Sequence, residues 1–215
     1  MNHTRLRLGA VIFLALLFAA LTGGVRPVMA DALAQPSLLL VAREQVDDPR
    51  FAKTVLLVTR HGARGTIGII LNRPLDTSID KLFPGLPRDK GPARPLFFGG
   101  PLGQEQLIFA FGERSTSEHH TLEVHPGIYL GHAPRLLQQL LRRAPPIAQL
   151  RIFVGHAGWA PNQLEREIAR GDWYLMPVDP KIVFAEAPLK MWSELHRKAS
   201  ERRADNTRWR LTAAY

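Results

Sequence analysis

Residues 151–171, RIFVGHAGWAPNQLEREIARG, decide how this chain is read. Ile152, Phe153 and Val154 form the short apolar run that a buried strand needs. Gly155 and Gly158 interrupt that run, and a helical pattern opens after Pro161. Asn162 with Glu165 makes a box-like helix start, Leu164 and Ile168 share one helix face, and Gly171 stands where a C-terminal cap belongs. A strand feeding through a tight glycine turn into a helix aims N–H groups and side chains at one point. His156 and Trp159 fall in that expected turn. Gly155, His156, Gly158 and Trp159 are therefore half of a candidate ligand site.

Working outward, Leu38 to Ala42 and Val55 to Thr59 read as strands. Asp47-Asp48-Pro49 predicts a helical turn over Arg50 to Thr54. His61 to Gly65 is a glycine-bounded loop, and Thr66 to Leu71 a third strand, apolar on both faces, which completes a hairpin. Gly68 inside it marks a bulge or a close backbone approach. Ser78 to Phe83 predicts one helical turn, and Pro84 to Pro95 is loop. Leu96 to Phe98 is a strand ending in Gly99-Gly100-Pro101, and Gln106 to Phe111 is another. Gly99 and Gly100 supply the other half of the candidate site. They lack the Gly-Lys-Ser/Thr ending of a phosphate loop, so a tight turn explains them better than a phosphate cradle.

Ala133 to Arg143 is a helix whose Leu136, Leu137, Leu140 and Leu141 form a core-facing stripe. Trp173 to Met176 is a strand and Pro180 to Phe184 a short helix. Pro188 to Ala199 is a last helix, with Leu189, Trp192 and Leu195 inward.

Three segments together, DDPRFAKTVLLVTRHGARGTIGIILNRPL from Asp47, FFGGPL from Phe97 and GHAGWAPNQLEREI from Gly155, resemble the YqgE/AlgH family of bacterial proteins. The resemblance spans Leu38 to Lys198. It implies a single α/β (α+β) domain, a mixed β-sheet flanked by a few helices, and it assigns no reaction. Here that domain occupies residues 31–200, followed by a basic tail at 201–215.

The chain departs from the family pattern at its start. Arg5 and Arg7 precede fourteen apolar or glycine residues, Leu8 to Leu21, and small-residue cleavage sites follow at Ala30 and Ala34. This is the layout of a signal peptide, residues 1–30, and it predicts export to the periplasm. Fourteen residues are short of the ~20 that span a bilayer, which favours a cleaved leader over the alternative, an uncleaved inner-membrane anchor.

The formal charge is +9, and the leader's Arg5, Arg7 and Arg26 account for three of it, leaving +6 from Asp31 onward. Much of the excess follows Leu189. Such a tail suits an anionic surface, and export argues against nucleic acid.

The absence of cysteine excludes thiol nucleophiles, disulfides and zinc–thiolate centres. His119, Glu123 and His125 share one face of an expected strand, but His119 and Glu123 would lie about 13 Å apart, too far for one ion. No metal and no cofactor is expected. For catalysis the one candidate is His156 as a general base, oriented by Asp172 or Glu167. Glu165 and Glu167 are about 200° apart around a helix and cannot share a substrate bond. They are assigned instead to surface pairing with Arg166 or Arg170. The reading preferred is a non-catalytic binding or accessory domain for a protein or small ligand. A hydrolase using His156 is the alternative, and a transcription-linked regulator the weaker one.

Overall fold

The computed structural model describes residues 37–60, 65–82, 94–113, 121–143 and 147–212, with side chains in the last span as far as Arg203. The leader with both cleavage positions, the loop at 61–64, most of the 84–95 stretch and His119 lie outside the described residues.

Ten strands are described: β1 (Ser37–Ala42), β2 (Val55–Arg60), β3 (Thr66–Ile70), β4 (Pro74–Ser78), β5 (Pro95–Phe98), β6 (Leu102–Phe111), β7 (Thr121–His125), β8 (Ile128–Gly131), β9 (Leu150–Trp159) and β10 (Trp173–Met176). Five helices accompany them: α1 (Ile79–Leu82), α2 (Pro134–Leu141), α3 (Gln163–Arg170), α4 (Pro180–Val183) and α5 (Pro188–Thr212). The sheet runs β10-β1-β2-β3-β9-β6-β8-β7, with β4 paired to β5 and β5 paired to β9. All pairs are antiparallel except β5 with β9, so the sheet is mixed.

Every residue of β1 is buried, because apolar side chains alternate onto two covered faces. On one face Leu39 and Val41 join Leu57, Ile69, Phe97 and Phe153 under Met191, Leu195 and Ala199 of α5. On the other, Leu96, Phe109, Phe111 and Ile152 pack under the leucine stripe of α2. Each fully buried aliphatic side chain stabilises the fold by about 1.5–3 kcal/mol relative to exposure.

Several boundaries differ from expectation. The segment Arg50 to Thr54 forms hydrogen-bonded turns rather than a helix, Phe51 and Ala52 both donating to the Asp48 carbonyl. Gly68 marks a close approach and no bulge: a Cβ there would lie 2.8 Å from Val58 Cγ1 and 2.9 Å from Trp159 Cζ3. Asn162 is left-handed (φ 63°) and its side chain caps nothing. The side-chain amide oxygen of Gln163, Oε1, instead accepts from the Ala160 N–H at 3.1 Å. Gly171 does close α3 in the left-handed conformation (φ 85°). Leu189 is 78% exposed rather than inward, and α5 continues through the expected tail to Thr212.

Candidate functional site

The largest correction concerns the glycine turn. Gly155 does not end the strand: β9 runs unbroken from Leu150 to Trp159, so His156 and Trp159 are strand residues. Three strands explain why. β5 flanks Ile152–Val154 on one edge of β9, and β3 takes over that edge for Ala157–Trp159. β6 flanks the opposite edge. Gly155, at φ 69°, sits where the neighbour changes.

Because β5 and β6 lie on opposite edges of β9, Gly99-Gly100-Pro101 must cross over β9. Two strand spacings are about 9.6 Å, and the four Cα steps from Phe98 to Leu102 reach at most about 14 Å. The strap is short and runs backbone against backbone. A Cβ on Gly99 would lie 2.2 Å from the Gly155 oxygen, one on Gly100 2.2 Å from the His156 carbonyl carbon, and one on Gly155 2.5 Å from the Gly100 oxygen. Gly99 also donates to the Val154 carbonyl at 2.8 Å and accepts from the Ile70 N–H at 2.9 Å. The two halves of the candidate site thus meet, and the space inside the glycine pair is filled by β9.

His156 lies beside the start of β6, with Leu102 as its register partner. The register slips between Leu102 and Leu107, so 103–106 bulge out over this point. A Cβ on Gly103 would come within 3.2 Å of His156 Cε1. The imidazole Nδ1 is buried with no hydrogen-bond partner. Burial lowers the His156 pKa, against an opposing pull from Glu105. Neither expected orienting carboxylate reaches it. Asp172 pairs with Arg170 at 2.6 Å, and Glu167 is engaged elsewhere. Beside the imidazole, Leu102 is 48% exposed, and Gly158 is exposed, placed so that a Cβ on it would lie 3.0 Å from Leu102 Cδ1.

Glu167 accepts at one oxygen from the indole N–H groups of Trp159 (2.9 Å) and Trp173 (3.0 Å). Its other oxygen accepts from the Gln163 amide at 3.1 Å. Phe51 packs against both indoles, at 6.2 Å and 6.3 Å between centroids. Trp159 is a core plug, as its size requires. Glu165 does turn away from Glu167, but its partner is Arg60, 3.9 Å distant, and not a neighbour on its own helix.

Sequence reasoning passed over Arg151. Its guanidinium is buried, donates to the Leu71 carbonyl at 3.0 Å and to the Ala185 carbonyl, and lies 4.6 Å from the centre of the Phe97 ring. Burial lowers its pKa to about 10, so it stays charged at neutral pH. Asn72 and Arg73 are likewise structural. Asn72 accepts from the Val55 N–H and donates to the Lys53 carbonyl, while Arg73 donates to Pro49 and Ala52. Together they fix the turn before β2. A buried arginine announces itself only through partners far away in sequence, and no local signal marks it.

Glu123 accepts from the Tyr129 hydroxyl at 3.2 Å, and His125 Nδ1 lies 2.9 Å from the Pro126 carbonyl oxygen. Among the described residues no three histidine or carboxylate side chains cluster as a metal would require.

A family model described as AlgH-like (DUF179) matches residues 39–203. A UPF0301 protein of Chlorobaculum tepidum is 32% identical over 160 residues, covering 74% of this chain and 83% of the relative. One from Coxiella burnetii is 36% identical over 155 residues, covering 70% and 81%. Among solved structures, a crystal structure of a Corynebacterium diphtheriae protein is similar with a TM-score of 0.62 and 27% identity, covering 76% of this chain and 86% of that one. The solution structure of the AlgH protein from Pseudomonas aeruginosa shares the fold, with a TM-score of 0.61 at 24% identity and coverage of 77% and 88%. The family model covers most of the chain, and the relatives match it at over 30% identity across most of their length, so this chain belongs to the AlgH-like family of UPF0301 proteins.

Proposed function

We propose that this protein is a binding or accessory module of the cell envelope, with its ligand face where β6 begins beside β9. The observation that carries this reading is the pairing of an exposed Leu102 with exposed Gly158 over a half-buried His156. A large apolar side chain at the surface, beside a bare backbone and a polar ring, suits contact with a protein or small ligand. Gly99, Gly100 and Gly155 shape that face by letting the strap cross, and Trp159 supports it from beneath. A hydrolase using His156 is less well supported, since Asp172 and Glu167 both serve other partners. The basic residues of α5 fit an anionic surface weakly, because Arg197 is paired with Glu201 at 3.1 Å.

Export rests on the leader's charge and apolar pattern. Mass spectrometry of the N-terminus from fractionated cells should find a chain starting near Asp31 in the periplasm. A full-length chain in the cytoplasm would refute the envelope assignment. For the binding face, Leu102→Asp and His156→Ala should each leave the melting temperature nearly unchanged and fail to complement a deletion strain. Full complementation by both would refute this face as the site.

A further inference from the structure

A second region, on elements away from the β6–β9 face, gathers three basic side chains around two aromatic rings. Arg43 follows β1, Lys53 precedes β2, Tyr174 lies on β10, and Trp192 and His196 are one turn apart on α5. The Arg43 guanidinium sits 4.9 Å from the Tyr174 ring centre, and Lys53 Nζ 5.7 Å from that of Trp192. His196 lies between the rings, 5.4 Å from Tyr174 and 4.8 Å from Trp192. The indole N–H of Trp192 donates to the Ala42 carbonyl at 2.7 Å, and the Ala42 N–H donates to Thr54 at 2.9 Å. Those two bonds tie the chain beside Arg43 to the chain beside Lys53. Among the described residues no carboxylate lies within ion-pair distance of Arg43, Lys53 or His196.

An independent observation concerns the backbone. Lys53 is left-handed, with φ 57°, a conformation that suits glycine or asparagine and that lysine adopts at a cost. The buried Asn72 enforces it by bonding both the Lys53 carbonyl and the Val55 N–H. A lysine held in an unfavourable backbone state, exposed and without a counter-ion, is the kind of local strain that accompanies a functional position.

We infer that Arg43, Lys53 and His196 form a binding site for a phosphate-bearing anion, with Trp192 and Tyr174 as its floor. Phosphate supplies several acceptor oxygens for charge-assisted bonds from a lysine and an arginine at once. The group can belong to a soluble phosphate ester or to a lipid headgroup, and the two sources are separable by experiment.

The test uses the whole chain and follows the Trp192 indole and His196 imidazole signals by NMR. One arm adds inorganic pyrophosphate. The other adds phosphatidylcholine vesicles with and without phosphatidylglycerol. Saturable shifts of both signals are expected in at least one arm, and that arm identifies the source. Lys53→Asn removes the charge while fitting the left-handed backbone better. It should weaken binding at least about tenfold, the value of one charged hydrogen bond, with the melting temperature unchanged or raised. The inference is overturned if neither arm moves these signals, or if Lys53→Asn binds like the unaltered protein. A marked fall in melting temperature for Lys53→Asn would also overturn it, since the lysine would then serve the fold.

Discussion

Glu167 offers the sharpest separation of structural from surface chemistry. It lies two residues from Glu165 on α3, and a sequence reading treats the pair alike. In the structure Glu165 faces Arg60 across 3.9 Å at the surface, whereas one Glu167 oxygen accepts two indole N–H bonds. Trp159 and Trp173 are 5% and 6% exposed, so water cannot readily replace that acceptor. Truncation in Glu167→Ala leaves two buried donors unpaired, each at about 1–3 kcal/mol. Glu167 is half-buried, which admits some water and favours the lower part of that range. The expected loss is about 3 kcal/mol, or about 6–12 °C in melting temperature for a chain of this size. Glu167→Gln keeps an acceptor for the indoles but turns an amide donor towards the Gln163 amide, and should lose about 1 kcal/mol. Glu165→Ala should lose no more than about 0.5 kcal/mol, as exposed ion pairs do. Thermal and urea melts of the three variants, followed by tryptophan fluorescence, make the comparison. If Glu167→Ala melts together with Glu165→Ala, the indole clamp contributes nothing and the account of this corner is wrong.

Two further perturbations probe β9. Arg151→Met removes the donor from the Leu71 and Ala185 carbonyls but relieves a buried charge, so a loss of only about 1–2 kcal/mol is expected in urea melts. Arg151→Ala also empties the space against Phe97 and should lose about 2–4 kcal/mol; equal damage from both would show that the charge, and not the volume, matters there. For His156 the pKa in the folded protein lies below the ordinary 6.5. Between 6.5 and that lower value the unfolded chain binds a proton that the folded chain does not, so stability falls as pH falls through this window. His156→Gln should flatten that part of the stability–pH curve, and an unchanged slope between pH 7 and 5 would contradict the burial of the ring.

The central strands were legible because β1, β2 and β3 carry apolar, β-branched runs that suit a sheet covered on both faces. The helix α2 was legible from its leucine spacing, and all four leucines are buried. β4 and β8 escaped notice because they are short and owe their form to pairing partners elsewhere. The polar start of β6, Leu102 to Gln106, has no strand signature of its own; Leu102 alone of these pairs with β9, opposite His156, and 103–106 bulge out. Gly155 was misread for a related reason. Glycine after an apolar run signals a turn locally, and only the crossing strap, fifty-odd residues earlier in the chain, makes it a strand residue. Glu167 went unrecognised because its indole partners approach from β9 and β10, which no helical spacing reveals. The length of α5 was within reach, since no glycine or proline follows Pro188 before Thr212. Its dense basic charge favoured a tail over a helix.

The crossing also decides which of the candidate residues can be probed without breaking the fold. Gly100 is at φ 153°, and a methyl group on it would run into the His156 carbonyl carbon at 2.2 Å and the Ala157 nitrogen at 2.4 Å. Both obstacles are backbone of the central strand, which cannot move aside without disturbing β3 and β6 together. Gly100→Ala is therefore expected to lose several kcal/mol, on the order of a severe core lesion, or to fail to fold. Gly158 differs on both counts. Its backbone is not left-handed, and a methyl group there meets only the Leu102 Cδ1 at 3.0 Å, the free end of a mobile side chain. Gly158→Ala should stay within about 1 kcal/mol of the unaltered protein while changing the shape of the Leu102–His156 face. Circular dichroism melts of the two variants are the measurement. A Gly100→Ala protein as stable as Gly158→Ala would mean that the strap does not press on β9. In that case Gly99 and Gly100 would be free to contact a ligand directly, and the site would lie under the strap rather than beside it.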